Sequence, residues 1–121
     1  MTRGEVYWAD LAPRSGSEQT GKRPVIVVSH DGFNQAPAWH SVIVVPVSTS
    51  GAQARRGPTA VPIPEGIGGL SKSSVALCHQ VTTLDRQKLS RRLGHLPGSV
   101  MIAVARGLMI AMDLEQPSLP K

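Results

Sequence analysis

Two runs of apolar residues, Val25–Val28 and Val42–Val47, constrain the fold of this chain more than any other feature. The first run shows no alternation of apolar and polar positions, so it predicts a strand that is buried on both faces or central in its sheet. The second run predicts another apolar strand, which gives way to polar residues at Ser48–Gly51. A β-sheet is therefore expected at the centre of the molecule.

Several other segments predict shorter elements around these strands. Residues 4–11, 73–83 and 90–96 are strand-like, and residues 59–63 predict only a short edge strand because three prolines limit its pairing. Residues 30–40 predict an irregular stretch with at most one helical turn at 31–34, and residues 53–57 a flexible basic loop. Asp85 is expected to cap a short helical turn that reaches Leu89.

One helix is predicted, near the C-terminal end, with Ser99 as its N-cap. Its apolar stripe has helical spacing and consists of Met101, Val104, Leu108 and Met112. Several strands followed by one helix indicate an α+β domain, most simply a small twisted antiparallel sheet or half-barrel with the helix packed on it. We expect a single domain over residues 1–115 and a frayed tail at 116–121.

The charge balance is basic, with 13 Lys and Arg against 8 Asp and Glu and a net charge of +5. The excess lies in the middle of the chain, which fits an anionic partner such as nucleic acid and fits general solubility equally well. The single cysteine, Cys78, excludes an internal disulfide or a multi-cysteine zinc site. Together with an N-terminus unlike a signal peptide and no long apolar run, it predicts a cytoplasmic protein without a membrane span.

The polar loop before the first apolar run is the strongest candidate for chemistry. Arg23 precedes Pro24 and a buried strand, so its guanidinium projects from a fixed base and suits a phosphate. Glu18 and Gln19 in the same loop could accept a proton or orient a hydroxyl. An ordinary surface loop with a structural Glu–Arg pair would give the same pattern.

Other candidate groups are weaker. The hydroxyls of Ser48, Thr49 and Ser50 follow a buried strand, where they could hold a phosphate oxygen or simply cap a turn. The four histidines have no mutual spacing for a metal site or an acid–base pair. No metal or cofactor is therefore expected.

Taken together, these segments resemble the MazF/PemK toxin family over nearly the whole chain. The most specific pieces are the opening Arg3–Leu11, the Gly16–Gln19 segment and the run Lys22–Ser29. Later agreement comes from the Asn34 loop, Val42–Val47, Gln80–Asp85 and Gly94–Leu96 before the final helix.

The resemblance implies a small SH3-like antiparallel β-barrel with a C-terminal helix, acting as a homodimer. It implies a metal-independent, sequence-specific endoribonuclease that arrests growth by blocking translation. Its partner would be a cognate antitoxin with an acidic C-terminal segment that covers the RNA groove. The family's catalytic arginine corresponds to Arg23, and its catalytic threonine corresponds to Ser48, which is a departure.

Two further departures, His79 and Thr82, stand where relatives often carry Glu and Arg, and would alter RNA preference or dimer contacts. We therefore predict Arg23, Ser48 and Glu18 as catalytic. The predicted RNA-binding residues are Gln19, Lys22, Thr49, Arg55, Arg56, Gln80 and Arg86. The alternatives are a gyrase-binding toxin of the same superfamily and an inactive small barrel that binds nucleic acid.

Overall fold

The computed structural model describes residues 1–12, 16, 21–55 and 57–114. The predicted tail at 116–121 lies outside these residues. The seven strands are β1 (Glu5–Asp10), β2 (Lys22–Val27), β3 (Ser41–Ser48), β4 (Ala60–Ile63), β5 (Ser74–Leu77), β6 (Thr82–Asp85) and β7 (Leu89–His95). The helices are the short α1 (Asp31–Asn34) and α2 (Gly51–Ala54) and the long α3 (Gly98–Met112).

The strands form one antiparallel sheet in the order β4-β5-β3-β2-β1-β7, and β6 also pairs with β3. Strand β3 is central to the sheet, because its first half pairs with β6, its middle with β2 and its last two residues with β5. The sheet is barrel-like but not fully closed, since β4 and β7 stand at opposite ends of the order. The predicted antiparallel barrel with a C-terminal helix is confirmed.

The two faces of the sheet bury separate hydrophobic clusters, which explains the unbroken apolar run in β2. Ile26 packs in a larger cluster that includes Val104 of α3. Val25, on the other face, packs with Val44 and Leu84 in a smaller one. Val25, Ile26 and Val27 are each 0% exposed, so the prediction of a strand buried on both faces is confirmed.

Residues 73–83 were predicted as one strand, and this is wrong. The segment divides into β5 and β6, which are separated by a 3-10 turn at Cys78–Gln80. The turn is needed because β5 pairs with β4 and the end of β3, whereas β6 pairs with the beginning of β3. Residues 53–57 also differ from prediction, since the short helix α2 covers Gly51–Ala54.

The predicted N-cap of the final helix is wrong by two residues. Pro97 holds the N-cap position with extended backbone angles, and its carbonyl accepts hydrogen bonds from the N–H groups of Val100 and Met101. Ser99 therefore already lies inside the helix. Within the predicted stripe, Met101, Val104 and Leu108 are buried, whereas Met112 is 46% exposed. No helix in the described ranges has the length and apolar character to span a membrane.

Helix α3 approaches the sheet closely at Gly107. A Cβ there would lie 2.7 Å from Cys78 Sγ and 3.0 Å from Val61 Cγ2. The Cys78 thiol is buried, donates to the carbonyl of Val104 at 3.6 Å, and has its pKa raised to about 11 by burial. Glycine is required here because two neighbours fill the space that a side chain would need.

Gly107→Ala should therefore lower the free energy of unfolding by about 1–3 kcal/mol, because overpacking outweighs the helix propensity of alanine. Urea denaturation monitored by circular dichroism measures the change. Gly98→Ala is the matched control, since a Cβ at that helix position meets nothing within 4 Å. A Gly107→Ala protein as stable as the original would contradict this account of the packing.

Candidate active site

An open cleft of about 330 Å³ lies where β1, β2 and β3 meet. The first strand contributes Trp8, the second Lys22, Arg23 and Pro24, and the end of the third Val47 and Thr49. The other residues that line it are Gly69, Leu70, Ser71, Lys72, Ser74, Arg91 and Leu93. The fold thus brings together three predicted residues, Lys22, Arg23 and Thr49.

Arg23 is held by its position at the beginning of β2. It pairs with Ala9 of β1, and the next residue, Pro24, pairs with Trp8. Its side chain is half-buried. A cation anchored on paired, rigid backbone loses little conformational freedom when it binds an anion, which favours precise recognition.

The charge of the cleft has one sign. Lys22, Arg23, Lys72 and Arg91 line it, and its described lining contains no Asp or Glu. Positive groups gathered in a concave site raise the local concentration of anions. The cleft is therefore suited to a phosphate-bearing ligand.

Two hydroxyls, those of Ser48 and Thr49, are candidates for binding a phosphate together with Arg23. Thr49 is exposed and lines the cleft. Because β3 ends at Ser48, the side chain of Thr49 does not have to point to the opposite face from that of Ser48. Ser48 is 3% exposed, and its Oγ accepts a hydrogen bond from the N–H of Ser50 at 3.1 Å. That bond occupies a lone pair and leaves the hydroxyl hydrogen for another acceptor.

Ser48 does not line the cleft, but continuing the register of the sheet beyond its last pair relates it to Arg23. Strands β2 and β3 pair Val25 with Pro46 and Ile26 with Val45, and this ladder ends at Val25. Two residues further along the same register, Arg23 would stand opposite Ser48. Residues opposite each other in an antiparallel pair share a face, with Cβ atoms about 5 Å apart.

Two residues that line the cleft, Gly69 and Leu93, meet in a backbone contact that the sequence did not predict. The turn Ile67–Gly69 packs on β7 so tightly that a Cβ on Gly69 would lie 2.0 Å from the carbonyl oxygen of Leu93. Gly69 also has φ +76, which favours glycine. From sequence the segment gave only a turn signal, because nothing local to it indicates the partner strand.

Neighbouring arginines of β7 have different partners. Arg91 lines the cleft, whereas the Nε of Arg92 donates to the carboxylate of Glu5 in an ion pair. Burial raises the pKa of Glu5, but hydrogen bonds from Thr2 and Arg92 outweigh it, so the pKa lies below its usual value. Arg92 therefore binds the first strand and is not a cleft cation.

Arg86, predicted to bind RNA, is used within the fold. Its guanidinium donates to the carbonyl oxygens of Phe33, Asn34 and Trp39 at 2.5–2.7 Å, and to that of Ala36 at 3.4 Å. These contacts hold the end of α1 and the loop after it, and they use most of the hydrogen-bond donors of the guanidinium. Arg86 therefore has a structural role that does not depend on RNA binding.

The remaining predicted residues are not brought to the cleft or cannot be placed. Arg55 follows α2 and is exposed, Gln80 is half-buried in a 3-10 turn, and neither lines the cleft. Glu18, Gln19 and Arg56 lie outside the described residues. Trp8, Lys72 and Arg91 were missed because they come from distant segments, so no spacing in the sequence links them to Arg23.

Comparison with known proteins identifies the fold and its relatives. The chain is 39% identical over 114 residues to Endoribonuclease MazF of Staphylococcus epidermidis, covering 94% of this chain and 92% of that protein. It is 38% identical over 114 residues to Endoribonuclease EndoA of Bacillus subtilis, covering 94% and 96%. A solved mycobacterial endoribonuclease in complex with its cognate antitoxin has 26% identity and a TM-score of 0.77, covering 97% of this chain and 99% of that chain.

The family model that matches is the PemK-like, MazF-like toxin of type II toxin–antitoxin systems, and it covers residues 2–112. This range contains every described strand and the whole of α3. A match of this length, together with relatives above 30% identity, is enough to assign membership. The chain therefore belongs to the PemK/MazF-like toxin family.

Proposed function

We propose that this protein is a sequence-specific, metal-independent endoribonuclease toxin. The observation that carries the proposal is the cleft itself, in which all four charged residues of the described lining are cations and Arg23 projects from a rigid strand. Relatives named as endoribonucleases support it. Cleavage of cellular RNA would block translation and arrest growth.

The reaction is an attack by the ribose 2′-hydroxyl on the adjacent phosphate. A bond forms between the 2′-oxygen and phosphorus while the bond to the 5′-oxygen breaks, giving a 2′,3′-cyclic phosphate and a 5′-hydroxyl end. The guanidinium of Arg23 stabilises the charge that develops on the phosphate oxygens. The hydroxyl of Ser48 donates a second hydrogen bond to them.

The proton balance needs a base and an acid. The 2′-hydroxyl loses its proton as it attacks, and the leaving 5′-oxygen gains one. Arginine is a poor base because its pKa lies above about 12. We therefore assign removal of the proton to Glu18, and the return of a proton to the leaving oxygen to water, since the guanidinium of Arg23 stays protonated.

The cations beside Arg23 can bind the RNA backbone along the cleft. Lys22, Lys72 and Arg91 lie in the same cleft and can pair with phosphates on either side of the cleavage point. Thr49 offers an exposed hydroxyl beside them. An acidic segment of a cognate antitoxin would compete for these cations, and the antitoxin complex of the solved mycobacterial relative supports such a partner. We propose a cytoplasmic homodimer as the working form.

Incubating the purified protein with structured and unstructured RNA in the presence of EDTA tests the proposal. We expect cleavage at defined sequence positions, with 5′-hydroxyl ends, because the mechanism uses no metal. Mapping the 5′ ends identifies the sites. RNA that stays intact under these conditions, with DNA gyrase inhibited instead, would contradict the nuclease assignment and favour the gyrase-binding alternative.

A further inference from the structure

A second cleft of about 270 Å³ adjoins the first, and the two share Trp8 and Lys22. Trp8 is 37% exposed, so its indole forms part of the wall between the two spaces. The other residues that line the second cleft are Ala9 and four polar residues, Asp10, Gln87, Lys88 and Ser90. Its size is close to the lower end of small-molecule sites, about 300 Å³, and suits one compact planar group.

Three polar side chains of the second cleft are held in place by hydrogen bonds to the backbone of Ala12 and Trp8. Asp10 accepts a hydrogen bond from the N–H of Ala12 at 3.0 Å, and Lys88 Nζ donates to the carbonyl of Ala12 at 2.9 Å. The hydroxyl of Ser90 donates to the carbonyl of Trp8 at 3.1 Å, which ties β7 to β1 behind the indole. Groups fixed in this way lose little entropy when a ligand binds.

The chemistry of the two clefts differs in one respect that decides their ligands. The charged residues in the described lining of the first cleft are all cations, whereas the second contains the carboxylate of Asp10 beside Lys22 and Lys88. A carboxylate repels phosphate but accepts hydrogen bonds from amino groups on base edges. An exposed aromatic face next to it offers a stacking surface for a base.

We propose that the second cleft binds a nucleobase flanking the scissile phosphate, which stacks on Trp8 and donates its amino group to Asp10. Trp8 and Asp10 are then specificity-determining residues, and uracil, which carries no amino group, is disfavoured at that position. This inference rests on the proposed ribonuclease function, since the phosphate in the first cleft sets the position of the base.

Cleavage kinetics on short RNA oligonucleotides that vary at each flanking position test the proposal. Trp8→Ala should raise KM about 10- to 100-fold with kcat within about threefold, as loss of one base-stacking contact predicts. Trp8→Phe keeps an aromatic face and should recover most of the affinity. Asp10→Ala, which leaves no side-chain acceptor for the amino group, should abolish an approximately tenfold discrimination against uracil at one position.

A binding measurement separates this inference from the proposed function. In a Trp39→Phe background Trp8 is the single tryptophan, and an RNA with 2′-deoxyribose at the cleavage position cannot react. We expect this RNA to quench the Trp8 fluorescence whether or not the protein cleaves RNA. Cleavage with an unchanged KM and sequence profile in Trp8→Ala, or RNA binding without quenching, would overturn the inference and leave the nuclease assignment intact. Thermal unfolding of each variant confirms that it is folded.

Discussion

Arg23→Ala should lower the rate of RNA cleavage by at least about 1,000-fold and abolish growth arrest when the protein is induced. The size follows from the role of the side chain, since arginines that stabilise charge on a transferred phosphoryl group contribute about 10³–10⁵ in rate. The other cations of the cleft can hold RNA, but Lys72 and Arg91 start from other elements and Lys22, the preceding residue of β2, lacks the planar fork of donors, so none can replace the guanidinium of Arg23. Single-turnover cleavage of a labelled oligonucleotide measures the loss.

Two variants separate the geometry of Arg23 from its charge. Arg23→Lys keeps the charge but loses the planar fork of donors, so we expect it to remain at least about tenfold slower than the original. Arg106→Ala removes one charge from an exposed position on α3 that lines neither cleft, and it should cleave normally. Denaturation curves show whether each variant is folded. Undiminished cleavage by folded Arg23→Ala would remove this residue from the mechanism.

Much of the fold could be predicted because its signals are local. The apolar run at Val25–Val27 has no polar face, and it forms the strand between β1 and β3. The break at Cys78–Gln80 could not be predicted, because it is imposed by β3, which pairs with β5 at one end and with β6 at the other. Pro97 was missed as an N-cap because it offers no side-chain hydrogen bond and caps through backbone angles alone.

The candidate site was only partly predictable for a similar reason. Arg23 could be identified because its restraint, a following proline and a buried strand, is adjacent in sequence. Arg86 carries the same charge, yet its guanidinium donates to backbone carbonyls of α1 and of the loop that follows it. Charge alone does not distinguish a cation that faces a ligand from one that closes a loop, and only tertiary contacts do.

The second large effect is expected at Ser48, which the resemblance to the family predicts to stand at the position of a catalytic threonine. Ser48→Ala should slow cleavage about 100-fold, which is the cost of removing one preorganised donor from a charged transition state. Ser48→Thr keeps the hydroxyl and introduces the threonine that the resemblance predicts, so its cleavage rate should stay within about threefold of the original rate. The alanine variant also loses the bond to the N–H of Ser50, so its unfolding free energy should fall by about 1 kcal/mol.

Thr49→Val decides between the two hydroxyls at the end of β3. Valine matches threonine in shape and lacks only the hydroxyl, and the side chain is exposed in the cleft, so the fold should be unaffected. If Ser48 is the donor, Thr49→Val raises KM by less than about tenfold and leaves kcat in place, because an exposed contact to RNA acts on binding. A loss of kcat in Thr49→Val larger than in Ser48→Ala would transfer the role to Thr49. The end of the strand at Ser48 would then be the feature that frees the following residue to face the phosphate.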